Sequence, residues 1–175
     1  MRLTPEQVQS IRLIIQAEKT ALTQIHTLCQ GHAQALTDAL DDIGQLSITA
    51  DMYANLSKND RRLLDQFAYR YTRLQDDMGA KLMPAVLRFL GEDIARMSAI
   101  DRFARLEQLG WLPDAQAWNV LRHIRNEFTH DYPETAELRF EKFTAAKDAS
   151  AKLLALMQRF TVRISELWLK LSPLA

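Results

Sequence analysis

Asn59-Asp60-Arg61-Arg62-Leu63-Leu64-Asp65-Gln66-Phe67-Ala68-Tyr69-Arg70-Tyr71-Thr72-Arg73-Leu74 carries the period that decides the fold. Leu63 and Leu64, Phe67, Tyr71 and Leu74 recur every three or four residues, and Met78 and Leu82 continue the step. One apolar stripe therefore runs along a helix predicted from Asn59 or Asp60 to about Leu90. Ser57 is an N-cap oxygen with an acid, Asp60, at the third helical position. Gly79 and Pro84 lie inside the stretch, and proline removes a helical hydrogen bond, so a kink or split is expected near Ala80. Gly91 closes the helix.

Upstream, Thr4-Pro5-Glu6-Gln7 reads as a capping box with proline at the first helical position. Val8, Ile11, Ile14 and Ile15 then follow helical spacing, predicting a helix from Pro5 to about Gln30. His26 and His32 read as surface or capping residues. From Gly31 to Ala54 the pattern is mixed: Ala33 to Leu40 is helical, Asp41-Asp42-Ile43-Gly44 looks like an end, and Leu46 to Ala54 alternates briefly. This segment reads as an irregular cover over the bundle or as an insertion.

Downstream, Ser98 caps a helix from Ala99 to Leu109, with Ile100, Phe103 and Leu106 inward and Gly110 at its end. Trp111-Leu112-Pro113-Asp114 turns into a helix from Pro113 to about His130, whose apolar stripe is Ala117, Val120, Leu121, Ile124 and Phe128. Trp111 and Trp118 are anchors of a core or an interface. From Glu134 to about Leu171 the pattern gives a last helix or helix pair. Every strong period is near 3.6, so the expected fold is all-α: an up-and-down bundle of about five helices, one domain over residues 1–175.

The 47% hydrophobic content supports one sizeable core, and the formal net charge is zero, so no strong field gathers nucleic acid over the whole surface. An extended nonspecific RNA binder is disfavoured, while a local basic cleft is allowed. Cys29 is the single cysteine, so no intrachain disulfide is possible, and no Cys/His spacing fits zinc. The amino terminus starts a helix where a signal peptide needs an apolar core, and no uncharged run is long enough to span a bilayer. The expectation is a cytoplasmic protein with no membrane segment. No phosphate-cradling glycine loop, nucleophile elbow or histidine–metal motif is present, so neither a metal nor a cofactor is assigned.

The chemistry gathers at Arg125-Asn126-Glu127-Phe128-Thr129-His130-Asp131-Tyr132-Pro133. Arginine offers a planar cationic fork that matches phosphate, and histidine moves protons near neutrality. Metal-free RNA cleavage needs a base for the ribose 2′-hydroxyl, an acid for the leaving oxygen, and positive charge on the phosphorane. His130 and Arg125 fit these roles. On a regular helix the two point about 140° apart, so a single helix does not focus them on one phosphate. Convergence needs the helix to unwind near Thr129, or the outward face to meet a second subunit. Asn126 shares the His130 face at i,i+4, and Arg122 precedes Asn126 by one turn. Arg70 and Arg73, interleaved with Tyr69 and Tyr71, are further candidates to hold RNA. Asp76 and Asp77 point to different faces, against a paired-carboxylate metal site.

This arrangement resembles the HEPN family of prokaryotic ribonucleases, specifically its HepT-like toxins. The likeness extends to Leu106–Pro113 and Trp118–Arg122, more loosely to Arg61–Leu82, and covers about the middle half of the chain. It implies a HEPN-like bundle acting as a homodimer with a shared cleft. Arg125 and His130 would then be catalytic, and Asn126 and Tyr132 would position RNA or His130. It further implies a nucleotidyltransferase antitoxin as partner, able to adenylylate Tyr132. AMP attached there would exclude RNA by bulk and by like charge. The alternative within the family is a catalytically silent subunit that presents substrate to a nucleotidyltransferase.

Overall fold

A computed structural model describes residues 3–46, 48–130 and 135–171. The helices are α1 (Pro5–Gly44), α2 (Ala50–Ala54), α3 (Lys58–Asp77), α4 (Met83–Phe89), α5 (Ala99–Gln108), α6 (Ala115–Thr129) and α7 (Ala136–Leu171). A π-turn at Met78–Leu82 joins α3 to α4, and a 3-10 turn at Ile94–Arg96 precedes α5. Taking α3 and α4 as one rod, the described residues form six helices and no strand.

Four helices close a ring in which every neighbour runs antiparallel, as cross-helix contacts show. His32 meets Asp77 and Glu18 meets Arg88, setting α1 against α3 and α4. His26 meets Thr161 and Lys19 lies over Trp168, setting α1 against α7. Arg125 bonds Asp76, and the Phe128 ring meets Phe67 and Tyr71, setting α6 against α3. Glu127 faces Lys142, and Arg159 bonds the Trp111 carbonyl, so α7 descends alongside the ascending α6. One buried cluster runs through the ring, with Phe67 fully buried and edge-on to Phe143 at 5.7 Å. Burying a side chain of that size contributes about 1.5–3 kcal/mol.

The interruption expected near Ala80 is the π-turn. Widening the hydrogen-bond ladder there absorbs the amide donor that Pro84 lacks, and the rod continues into α4. Gly91 and Gly110 both take positive φ at the ends of α4 and α5, +83° and +73°, the conformation in which glycine costs least.

Several expectations are corrected. α1 does not stop near Gln30: Leu36, Ala39 and Ile43 stay buried on the same seam, and Gly31 sits where a helix tolerates it, so one helix runs to Gly44. Residues 31–44 are thus part of the bundle, and the short α2 packs on α7 through Tyr53 against Phe140 and Phe143. His26 is buried against Thr161 and His32 is tied to Asp77, so neither is a surface or capping residue. Ile100 is 66% exposed, so α5 turns only Phe103 and Leu106 inward. α6 starts after Pro113, because the Asp114 carboxylate accepts from the Gln116 and Ala117 amides and caps it. Its inward face is Trp118 and Leu121 with Ile124 and Phe128 half-buried, while Ala117 and Val120 face outward.

Candidate functional site

α6 stays regular through Thr129, whose hydroxyl donates to the carbonyls of Arg125 and Asn126 and satisfies the last turn. The helix ends at Thr129, inside the motif and one residue before His130. His130 is its C-cap, with extended backbone (φ −81°, ψ 119°), and its amide donates to the Asn126 carbonyl at 3.2 Å. The chain changes direction here, and exposed His130 lines a groove of about 580 Å³ between α2, α3, the end of α6 and the start of α7.

Phe128, Phe143, Leu64 and half-buried Tyr53 form the apolar floor of the groove. Among the described residues, Arg61 from α3 and Arg139 and Lys142 from α7 bring three cations to its wall, against the carboxylate of Asp65. Lys142 also meets Glu127 at 3.6 Å. Tyr69, 58% exposed, stands at the groove with the Arg70 guanidinium 5.3 Å from its ring centroid. Burial pushes the Tyr53 phenol above its ordinary pKa, with Asp65 adding to the shift and Arg139 opposing it.

Arg125 takes the other side of α6. Its guanidinium donates to Asp76 on α3 at 2.5 Å and to the side-chain oxygen of neighbouring Asn126 at 3.2 Å. Its side chain is 26% exposed. Arg125 does not line the groove that holds His130, so the divergence read from helix geometry persists within one chain. The fully buried Tyr71 hydroxyl lies in the field of Arg125, yet burial dominates and pushes its pKa up to about 12.

The remaining candidates spread out. Arg122 is exposed, hydrogen-bonded to Asn119 at 3.5 Å, and stands 5.4 Å from the Phe103 ring centroid. Arg73 reaches Asp77, which also takes Lys81 at 2.8 Å and His32 at 3.1 Å. Burial raises the Asp77 pKa, but the Lys81 hydrogen bond together with Arg73 and His32 outweighs it and holds the carboxyl below its ordinary value. Neither Arg70 nor Arg73 lines the groove, whose α3 cation is Arg61. Tyr132, with Asp131 and Pro133, lies outside the described residues.

Sequence reasoning missed Arg139, Lys142, Asp65 and Tyr53. Arg139 and Lys142 are spaced i,i+3 at the start of α7, a few residues past the motif, a spacing that puts two cations on one helix face beside His130. Among the described residues no group of three or more His, Cys, Asp or Glu side chains is placed to hold a metal ion, and no helix is long and apolar enough to cross a membrane. Compared with known proteins, the chain matches no family model, no curated protein and no solved structure.

Proposed function

We propose that the chain is a metal-independent endoribonuclease of HEPN type, serving as the toxin of a toxin–antitoxin pair. The observation that carries this reading is the meeting of His130 with Arg61, Arg139 and Lys142 in one open groove. An imidazole among cations above an apolar floor suits a phosphodiester whose charge grows in the transition state. His130 removes the proton of the ribose 2′-hydroxyl. The 2′-oxygen then bonds to the adjacent phosphorus, the bond to the 5′-oxygen breaks, and the proton returns to that leaving oxygen. The products are a 2′,3′-cyclic phosphate and a 5′-hydroxyl. Groove cations hold the phosphate. Arg125 adds charge to the phosphorane when a second copy carries it to the His130 of the first.

The test is His130→Ala on purified chain with single-stranded RNA. Loss of the imidazole lowers cleavage by roughly 10²–10⁴-fold while RNA stays bound, and it relieves growth arrest in cells. Undiminished cleavage refutes the assignment.

One observation favours the second reading, a silent subunit that presents substrate to a nucleotidyltransferase: Arg125 is held by Asp76, outside the groove. In that case the groove binds nucleotide or RNA with the same cations, and neither wild type nor His130→Ala cuts.

A further inference from the structure

We propose that the groove reads one base of the strand it holds: the Asp65 carboxylate accepts from the Watson–Crick edge of a guanine whose ring stacks on Tyr69. This rests on the reading of the groove as an RNA site and adds a preference to it, since phosphate contacts hold any strand and only base contacts select one.

Arg61, Asp65 and Tyr69 stand at successive turns of α3 and all line the groove, over about 12 Å at 1.5 Å per residue. All three are exposed. Arg61 is placed i,i+4 from Asp65, a spacing that suits an ion pair on a helix surface. Arg139 on α7 is also close, since it and Asp65 act in opposite senses on the Tyr53 phenol. Yet among the described residues no ion pair or hydrogen bond holds Asp65. Its two oxygens are left for incoming donors, at a wall where a negative charge otherwise only repels the strand. Tyr69 is 58% exposed. Arg70, which does not line the groove, lies 5.3 Å from the Tyr69 ring centroid. An exposed ring backed by a cation is a platform on which any base stacks.

The carboxylate decides which base gains most. A carboxylate accepts hydrogen bonds and donates none, and its paired oxygens suit two parallel donors. Guanine sets its N1–H and its exocyclic N2 amine side by side on one edge. Adenine and cytosine offer one amine beside a ring nitrogen that repels the second oxygen, and uracil offers one N–H between two carbonyls. Free guanine nucleotides carry the same edge. With Arg61, Arg139 and Lys142 spread along the groove, a strand with several phosphates meets more of the cations than a single nucleotide does.

The probes are uridine nonamers with one central guanosine, inosine, adenosine or cytidine, the all-uridine strand, and GMP. Binding to full-length His130→Ala chain is read by fluorescence anisotropy, with GMP as competitor, so the result does not depend on cleavage. The guanosine strand should bind about tenfold more tightly than the adenosine, cytidine and all-uridine strands. The inosine strand, lacking the N2 amine, should fall between them. Asp65→Asn should tighten the all-uridine strand, because one like charge is gone, and erase the preference for guanosine. Tyr69→Ala should weaken every strand at least about fivefold, and Tyr69→Phe should bind as wild type. Equal affinity for all bases, a guanosine preference that survives Asp65→Asn, or GMP binding as tightly as the guanosine strand would each overturn the proposal. If Arg139→Ala still weakens all strands in those cases, the groove stands as an RNA site and only the base reading falls. A chain that binds no strand removes both.

Discussion

Gly79→Ala and Gly31→Ala add the same methyl group to helical backbone and should shift stability in opposite directions. At Gly31 on α1 an added Cβ meets nothing within 4 Å, so replacing glycine removes only its entropic penalty. The gain is about 0.5–1 kcal/mol. At Gly79, inside the π-turn, an added Cβ falls 3.0 Å from Cζ2 of Trp118. That indole is 1% exposed and edge-on to Phe103 at 5.9 Å, so it cannot swing away. Overpacking costs about 1–3 kcal/mol, against the same backbone gain of about 0.5–1 kcal/mol. The net is a loss of up to roughly 2.5 kcal/mol. For a chain of this length 1 kcal/mol moves Tm by about 2–4 °C. Calorimetry should therefore show Gly79→Ala melting several degrees below wild type and Gly31→Ala slightly above it. Trp118→Phe removes the offending ring edge, so in that background Gly79→Ala should cost less than it does alone, a coupling read from a double-mutant cycle. If Gly79→Ala stabilises as Gly31→Ala does, the close approach of α6 to the π-turn is wrong, and with it the register that places His130 at the groove.

The remaining predictions concern charge. Replacing Arg139 or Lys142 by Ala should weaken single-stranded RNA binding uniformly across sequences and flatten the log–log salt slope by about 0.7 for each phosphate no longer neutralised; an unchanged slope in titrations from low to moderate salt refutes the groove as the binding surface. Asp77 has a folded pKa below its unfolded one, so its contribution is present above the ordinary carboxylate range and is lost as pH falls through the folded value. Asp77→Asn should cost about 1–3 kcal/mol near neutrality and flatten that acid limb in urea midpoints taken from pH 7 to pH 3. Buried His26 has a lowered pKa, so its contribution is present above about pH 6.5 and declines as pH falls below it; His26→Gln should abolish this earlier step. Mixing Arg125→Ala with His130→Ala chains should restore cleavage at about a quarter of the wild-type sites if Arg125 acts across two copies, since half the dimers are mixed and each has one intact site. No restoration confines Arg125 to its own chain.

The helices are legible in the sequence because their signals are local. Thr4, Ser57 and Ser98 each cap where the residue types say they should, and Gly91 and Gly110 end the helices they follow. Two departures have one cause, that a stripe read from a single helix does not say which neighbour it meets. Val120 counts as core by period yet faces outward, because the large indole of Trp118 sets the rotation of α6 against Gly79 and Phe103. A break after Gln30 follows from weighing a glycine and polar residues locally, whereas burial of Leu36, Ala39 and Ile43 against the rest of the bundle outweighs a propensity cost of about 1 kcal/mol at Gly31.

The candidate site is legible by half for a related reason. Arg125 and His130 stand out because they share a helix end, and their divergence follows from 3.6 residues per turn. What the sequence does not supply is the identity of the cations beside His130. Arg61 and Arg139 are separated by 78 positions in the sequence and meet only because α3 and α7 both flank the end of α6. The antiparallel ring brings the first turn of α3, the last turn of α6 and the first turn of α7 to one end of the bundle. A basic groove at that end is thus a property of the topology, reachable from the chain only after its helices have been ordered in space.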